Sequence, residues 1–247
     1  MQPSATDREG GGERIGSHDV GGRRGYGAIV IEEGPPFSGW QGPLIGLTLT
    51  TMLRGLVQVD RWRARQEELH PVTYVDLPYF HRWLYTLERN LRLEGVLTGE
   101  EIEARMERLA ANPDDQLPEH SDPEFVRAVE QLIAEGGPVV KEVPAPPRFA
   151  VGDIVRLRRI SIERPGDEHT RLPGYAQGKR GEIARVNAAQ ALPDAMVADN
   201  REIPEHTYAV RLRAADLWPD AEPHSTVCVD AWESYIEPDE QTGERSS

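Results

Sequence analysis

Residues 136–160 read GGPVVKEVPAPPRFAVGDIVRLRRI, and the chain changes character inside them. The first part, 136–149, carries four prolines and two glycines. That composition suits neither a helix interior nor a central strand, so it reads as a linker. Beyond it the pattern has period two: Val155 and Leu157 alternate with Arg156 and Arg158, as in a half-buried strand. EIARV (182–186), TYAVRLRA (207–214), STVCVDAW (225–232) and SYIEP (234–238) follow in the same style, separated by Gly, Pro, Asn and Asp. Short strands at that spacing, within about 90 residues, predict a small antiparallel barrel.

Upstream of the linker the period is helical. WQGPLIGLTLTTMLRGL (40–56) is mostly apolar, has Pro43 in a first turn and predicts a buried helix ending near Gly55. VQVDRWRARQEELHP (57–71) predicts a helix stopped before Pro71. A further helix is expected to open at Asp76, with Pro78 in its first turn and a stripe of Tyr79, Trp83, Leu84, Leu87 and Leu91, and to stop at Gly95. Thr98-Gly-Glu-Glu101 has the form of a capping box and starts a helix to near Leu109. Asp122-Pro123 starts another through Ile133, ended by Gly136-Gly137. The fold class is thus α+β. The expected layout is a disordered tail at 1–17, an extended arm and helical domain at 18–135, a linker at 136–147, a small β-barrel at 148–238 and a tail at 239–247.

The 247 residues carry a formal net charge of −14, which argues against a protein that tracks nucleic-acid backbone. No apolar run is long enough for a transmembrane helix, and MQPSATDREGGGERIGSHD has no apolar core of a secretory signal, so a cytoplasmic protein is expected. The single cysteine, Cys228, has no internal disulfide partner and is expected to be a buried small hydrophobe. The seven histidines form no HExxH or paired ligand set, so no metal is expected on this chain alone. Nor is there a GxSxG nucleophile motif.

Three local features stand out. Tyr79 and Trp83, at i and i+4, form either core packing or one wall of an aromatic pocket. Arg63 in DRWRARQEE is most simply a helix cation paired with Glu67. HTRLPGYAQGKRGEI (169–183) gathers Arg171, Lys179 and Arg180 among glycines. It could be a phosphate or nucleic-acid loop, an ordinary hairpin, or an edge that offers arginine to a partner.

Taken in order, HDVGGRRGYG (18–27), DRWRARQEE (60–68), YFHRWLYTLERNL with GVLTGEEI (79–102), RFAVGDIVRL, HTRLPGYAQGKRGEI, DLW and VDAWESYIEP resemble the β subunit of nitrile hydratase across roughly residues 18–238. The resemblance implies a Src-homology-3-like barrel in the C-terminal half. It also implies a partner: an α subunit whose Cys-rich claw, partly oxidised to sulfinate and sulfenate, holds low-spin cobalt(III) or iron(III), in an αβ heterodimer that assembles to α2β2. None of that metal is bound by the β chain. The implied reaction is hydration of a nitrile to the amide, in the lyase class. By motif position Arg63 and Arg171 would reach the oxidised sulfurs, as a guanidinium fork suits anionic oxygens. Tyr79 would face bound nitrile or water, with Val59, Trp62 and Trp83 lining the pocket. Glu67 and His169 would orient the arginines. Arg82 stands where some members carry His. Two other readings remain: a non-catalytic scaffold or metallochaperone-like relative, and a β-type subunit of a related thiocyanate hydrolase.

Overall fold

The computed structural model describes residues 28, 37, 39–115, 121–137, 139–160 and 169–239. The expected tail at 1–17, the arm at 18–27 and residues 240–247 lie outside them. One compact unit is Glu32–Pro138, and a second includes Val139–Ser247.

The first unit holds helices α1 (Gln41–Leu53), α2 (Val59–Glu67), α3 (Pro71–Asp76), α4 (Tyr79–Leu93), α5 (Gly99–Ala111) and α6 (Pro123–Glu135). The helix expected from Asp76 is α4, which opens three residues later at Tyr79, and a short helix not expected from the sequence, α3, precedes it. Pro71 opens α3, His70 Nδ1 accepts from the Val72 amide at 3.3 Å, and α3 ends at Asp76. Leu77, which precedes Pro78, is extended because the proline ring crowds the helical conformation, so α4 restarts at Tyr79. Helix α1 is buried on one face only: Leu44, Thr48 and Thr51 are inside while Leu47 and Leu53 are exposed. Leu87 and Leu91 of α4 join Leu44 in a small core, with Phe80 and Trp83 packed against it. Leu84, expected in the buried stripe, is exposed. The capping box at α5 is present: Thr98 Oγ1 accepts from the Glu101 amide at 3.1 Å, and Glu101 accepts from the Thr98 amide at 2.8 Å. Asp122 Oδ1 caps α6 by accepting from the Phe125 amide at 3.0 Å.

The second unit holds β1 (Ile154–Leu157), β2 (Arg180–Ala191), α7 (Pro193–Asp199), β3 (Pro204–Arg213), β4 (Thr226–Trp232) and β5 (Ile236–Pro238). All pairings are antiparallel, in the order β4-β3-β2-β1-β5. The five strands correspond to the five period-two segments. Among the described residues no ladder joins β4 to β5, so the sheet is open by its pairing and the expected closed barrel is not seen. The reason is local: a 3-10 turn at Glu233–Tyr235 ends β4, and the three-residue β5 spends its pairing on β1.

Val155, Leu157, Ile183, Tyr208, Val210 and Leu212 are at the centre of this unit's core. Gly181 makes the β2–β3 approach possible: a Cβ there would lie 2.6 Å from Val210 Cγ1 and 2.9 Å from the Arg211 carbonyl. Cys228 is exposed, against expectation. Strand alternation explains it, since Val229 and Ala231 face inward and Cys228 and Asp230 face outward. Asp239 is buried and accepts from Arg156 Nη2 at 3.0 Å and from Arg180 Nε. Those guanidinium partners hold its carboxyl below the usual carboxylate range, Arg180 foremost.

Candidate functional site

In the helical unit the site residues gather on α2 and α4. Gln58 starts α2: its Oε1 accepts from the amides of Asp60 at 2.7 Å and Arg61 at 2.9 Å, and its Nε2 donates to Asp60 Oδ2 at 3.0 Å. Asp60, so fixed and mostly buried, accepts from Arg63 Nη1 at 3.2 Å. Asp60, three residues back, is thus a carboxylate partner of Arg63. Arg63 keeps 46% of its side chain in solvent, so the pair aims the guanidinium more than it stabilises the fold.

Trp62, next in chain, points the other way and is buried. Its indole meets that of Trp83 at 4.9 Å between centroids, and Trp83 meets Tyr79 at 5.8 Å. Phe80 completes the cluster, 5.1 Å from Tyr79. Tyr79 itself is 55% exposed, and Val59, at the start of α2, is exposed as well. Trp83 thus packs on the core, the first of the two readings of the pair, while Tyr79 is largely exposed. The buried Trp62 Nε1 has no hydrogen-bond acceptor among the described residues. Arg82 lies over the rings of Tyr74 at 4.8 Å and Tyr79 at 5.7 Å and donates to the Tyr74 carbonyl at 3.2 Å. Burial, chiefly, raises the Tyr74 hydroxyl above its ordinary value.

In the sheet unit, His169-Thr-Arg171-Leu172 alternates in burial. His169, Thr170 and Leu172 are inside, Leu172 in the hydrophobic core, and Arg171 is exposed between them. Thr170 Oγ1 accepts from the Leu172 amide at 3.2 Å. Arg171 borders a groove of about 530 Å³ on the outer face of the sheet, with Tyr175, Arg185, Cys228, Asp230 and Trp232 among its lining. The other two cations of the island are engaged within the chain: Lys179 Nζ donates to the Asp216 carbonyl at 2.8 Å, and Arg180 is bound to Asp239. A loop that spends its cations internally is poorly equipped to cradle phosphate. Arg171 is exposed at the groove edge.

Sequence reasoning missed Asp60 and Gln58, although an acid three residues before Arg63 was a readable signal. It also missed Asp194 and Tyr235, whose pairing across the sheet unit leaves no local trace: Tyr235 Oη donates to Asp194 Oδ1 at 2.5 Å. Among the described residues no group of three or more His, Cys, Asp or Glu side chains is placed to hold a metal. No helix among them is long and apolar enough to cross a membrane.

Two family models match the chain. The N-terminal domain of the nitrile hydratase beta subunit matches residues 15–130, and its C-terminal domain matches residues 138–238. The beta subunit of a cobalt-containing nitrile hydratase from Pseudonocardia thermophila is 34% identical, over 90% of this chain and 95% of its own length. The beta subunit of a low-molecular-weight cobalt-containing nitrile hydratase from Rhodococcus rhodochrous is 31% identical, over 90% of this chain and 99% of its own. A chain of recombinant apo thiocyanate hydrolase from Thiobacillus thioparus aligns with 49% of this chain at 22% identity and TM-score 0.35, too low to bear on shape or function. The aromatic and arginine-bearing helices and the five-stranded sheet thus lie within matched segments, and the chain belongs to the nitrile hydratase beta subunit family.

Proposed function

We propose that this chain is the β subunit of a heteromeric nitrile hydratase, which converts a nitrile and water to the amide only in complex with an α subunit. The observation that carries the reading is the state of two arginines. Arg63 and Arg171 are both exposed, and each rises from a locally fixed backbone: Arg63 from the Gln58–Asp60 cap, Arg171 from between the buried Thr170 and Leu172. In this reading the cobalt or iron is held by the α subunit, where it supplies Lewis acidity toward nitrile or water. This chain's residues do the rest. Arg63 and Arg171 place guanidinium forks against the oxidised, anionic cysteine oxygens of the partner, a cluster that is costly to bury without countercharge. Tyr79 offers its hydroxyl to the bound nitrile or water. Val59, Trp62 and Trp83 shape the apolar side of the pocket, and Glu67 and His169 orient the arginines. An αβ heterodimer pairing into α2β2 and a cytoplasmic setting complete the proposal.

The test is co-expression of this chain with an α-type chain that carries a C-x-x-C-S-C claw. Amide formation from a nitrile by the complex, with the metal found on the α chain, is the expected result. Stoichiometric metal on this chain alone, or a stable complex with no turnover, would overturn the reading and favour the non-catalytic scaffold.

A further inference from the structure

Two backbone deficits meet where α3 ends at Asp76 and α4 begins at Tyr79. The Tyr74 carbonyl would accept from the amide four residues on, but that residue is Pro78, which has no N–H. Helix α4 then opens with no side-chain cap on its first amides and no acidic side chain in its first turn. Tyr79 is the first residue of that uncapped turn, where helices fray, and it is 55% exposed. Arg82 answers the first deficit directly: its Nη1 donates to the Tyr74 carbonyl at 3.2 Å, back across the break between the helices. Its guanidinium carbon lies 4.8 Å from the centre of the Tyr74 ring on α3 and 5.7 Å from that of Tyr79 on α4. Its Nε is buried with no acceptor among the described residues. A guanidinium N–H without an oxygen partner persists where aromatic faces offset its charge.

We propose that Arg82 is a positioning residue for Tyr79: one guanidinium fastens the uncapped start of α4 to the end of α3 and holds the Tyr79 ring in place beside Trp83. This rests on the reading of Tyr79 as the residue that faces bound nitrile or water. Arg82 acts through the tyrosine and not on substrate, so its effect on turnover exists only while the Tyr79 hydroxyl is present.

A double-mutant cycle in the full α-complex tests it. Arg82→Met, which removes the charge and the donor, is expected to lower kcat about tenfold or more with KM within about threefold of wild type, because a small misplacement of a group acting in the transition state costs rate before affinity. Tyr79→Phe keeps the ring and removes the hydroxyl. In that background Arg82→Met is expected to lower kcat by less than about twofold, the non-additivity of residues acting as a unit. Hydrogen exchange supplies a readout independent of turnover. The amides at positions 81 and 82 donate to the Pro78 carbonyl at 3.0 and 3.3 Å. Their exchange in the complex is expected to quicken about threefold or more in Arg82→Met, with the amides of Leu87 and Leu91 unchanged, as local opening of one turn requires. Should Arg82→Met not assemble, Arg82→Gln, a shorter and neutral side chain, enters the same cycle with the same expectations. Wild-type kcat in Arg82→Met, equal losses in both backgrounds, or unchanged exchange at positions 81 and 82 overturns the proposal while leaving the role of Tyr79 standing. Wild-type turnover in Tyr79→Phe overturns that role instead, and the exchange at positions 81 and 82 then decides the fastening of α4 alone.

Discussion

The indole of Trp62 meets that of Trp83 edge to face, 4.9 Å between centroids with planes at 70°. One aromatic pair thereby joins α2, which carries Arg63, to α4, which carries Tyr79. Any change in that pair alters the core and the proposed pocket wall together.

Trp62→Ala is expected to cost about 3–5 kcal/mol of stability, the range for emptying a large aromatic from a core. Denaturant unfolding followed by far-ultraviolet circular dichroism measures it. Trp62→Phe keeps a ring against Trp83 and is expected to stay folded, with a measurably altered KM for bulky nitriles. A stability loss from Trp62→Ala well under 1 kcal/mol would remove Trp62 from the core.

Arg63→Ala and Arg171→Ala are each expected to leave assembly intact and to lower kcat about a hundredfold, the scale for losing one preorganised charge-stabilising donor. Arg171→Lys is expected to be nearly as harmful, since an ammonium cannot reproduce the planar fork. Size-exclusion chromatography of the complex and steady-state kinetics check both halves of this. Unchanged turnover in both alanine variants would sink the arginine–sulfinate role.

Asp194 makes stability depend on pH. Burial, first, raises its carboxyl from 3.8 to about 6, partly opposed by the Tyr235 hydroxyl and His169 and reinforced by Glu205. The folded chain then binds this proton more tightly than the unfolded chain. Its contribution to stability therefore falls as pH rises from about 4 to about 6 and is flat above. Asp194→Asn lacks that dependence. Relative to wild type, the asparagine variant is expected to gain up to roughly 3 kcal/mol between pH 4 and pH 7. Urea unfolding of both proteins across that range tests the sign; a gap constant with pH contradicts it.

Gly181→Ala is expected to destabilise the sheet unit by about 1–3 kcal/mol through overpacking, because the new methyl meets Val210 and backbone at contact distances no Cβ tolerates. Thermal unfolding of the variant reads it directly. Gly42, which has open space around its missing Cβ, provides the control at Gly42→Ala.

The helices with chemical punctuation were legible from sequence. Thr98 and Glu101 announced α5, and Asp122-Pro123 announced α6, because caps are local and their partners lie three residues away. The strands were legible through their period. What failed did so for want of local signal. Helix α3, only six residues long, is too short for an apolar period to show, and Pro78 moves the start of α4 from the expected Asp76 to Tyr79. Cys228 was expected inside on residue type, while the strand's alternation turns it out. Helix α7 and the Asp194–Tyr235 pair were invisible, since the partners are 41 residues apart and only the folded sheet brings them together. The candidate site divides the same way: aromatic and arginine residues were nameable in the sequence, while Gln58 and Asp60, which aim Arg63, emerged from the cap geometry.

The outward turn of Cys228 has a practical use. It is the sole thiol in the sequence and lines the same groove as Arg171. A maleimide fluorophore or nitroxide attached there, before the partner is added, gives a uniquely labelled chain without any mutagenesis. Quenching or spectral broadening on mixing would then report whether the groove is covered when the two subunits meet, and how fast.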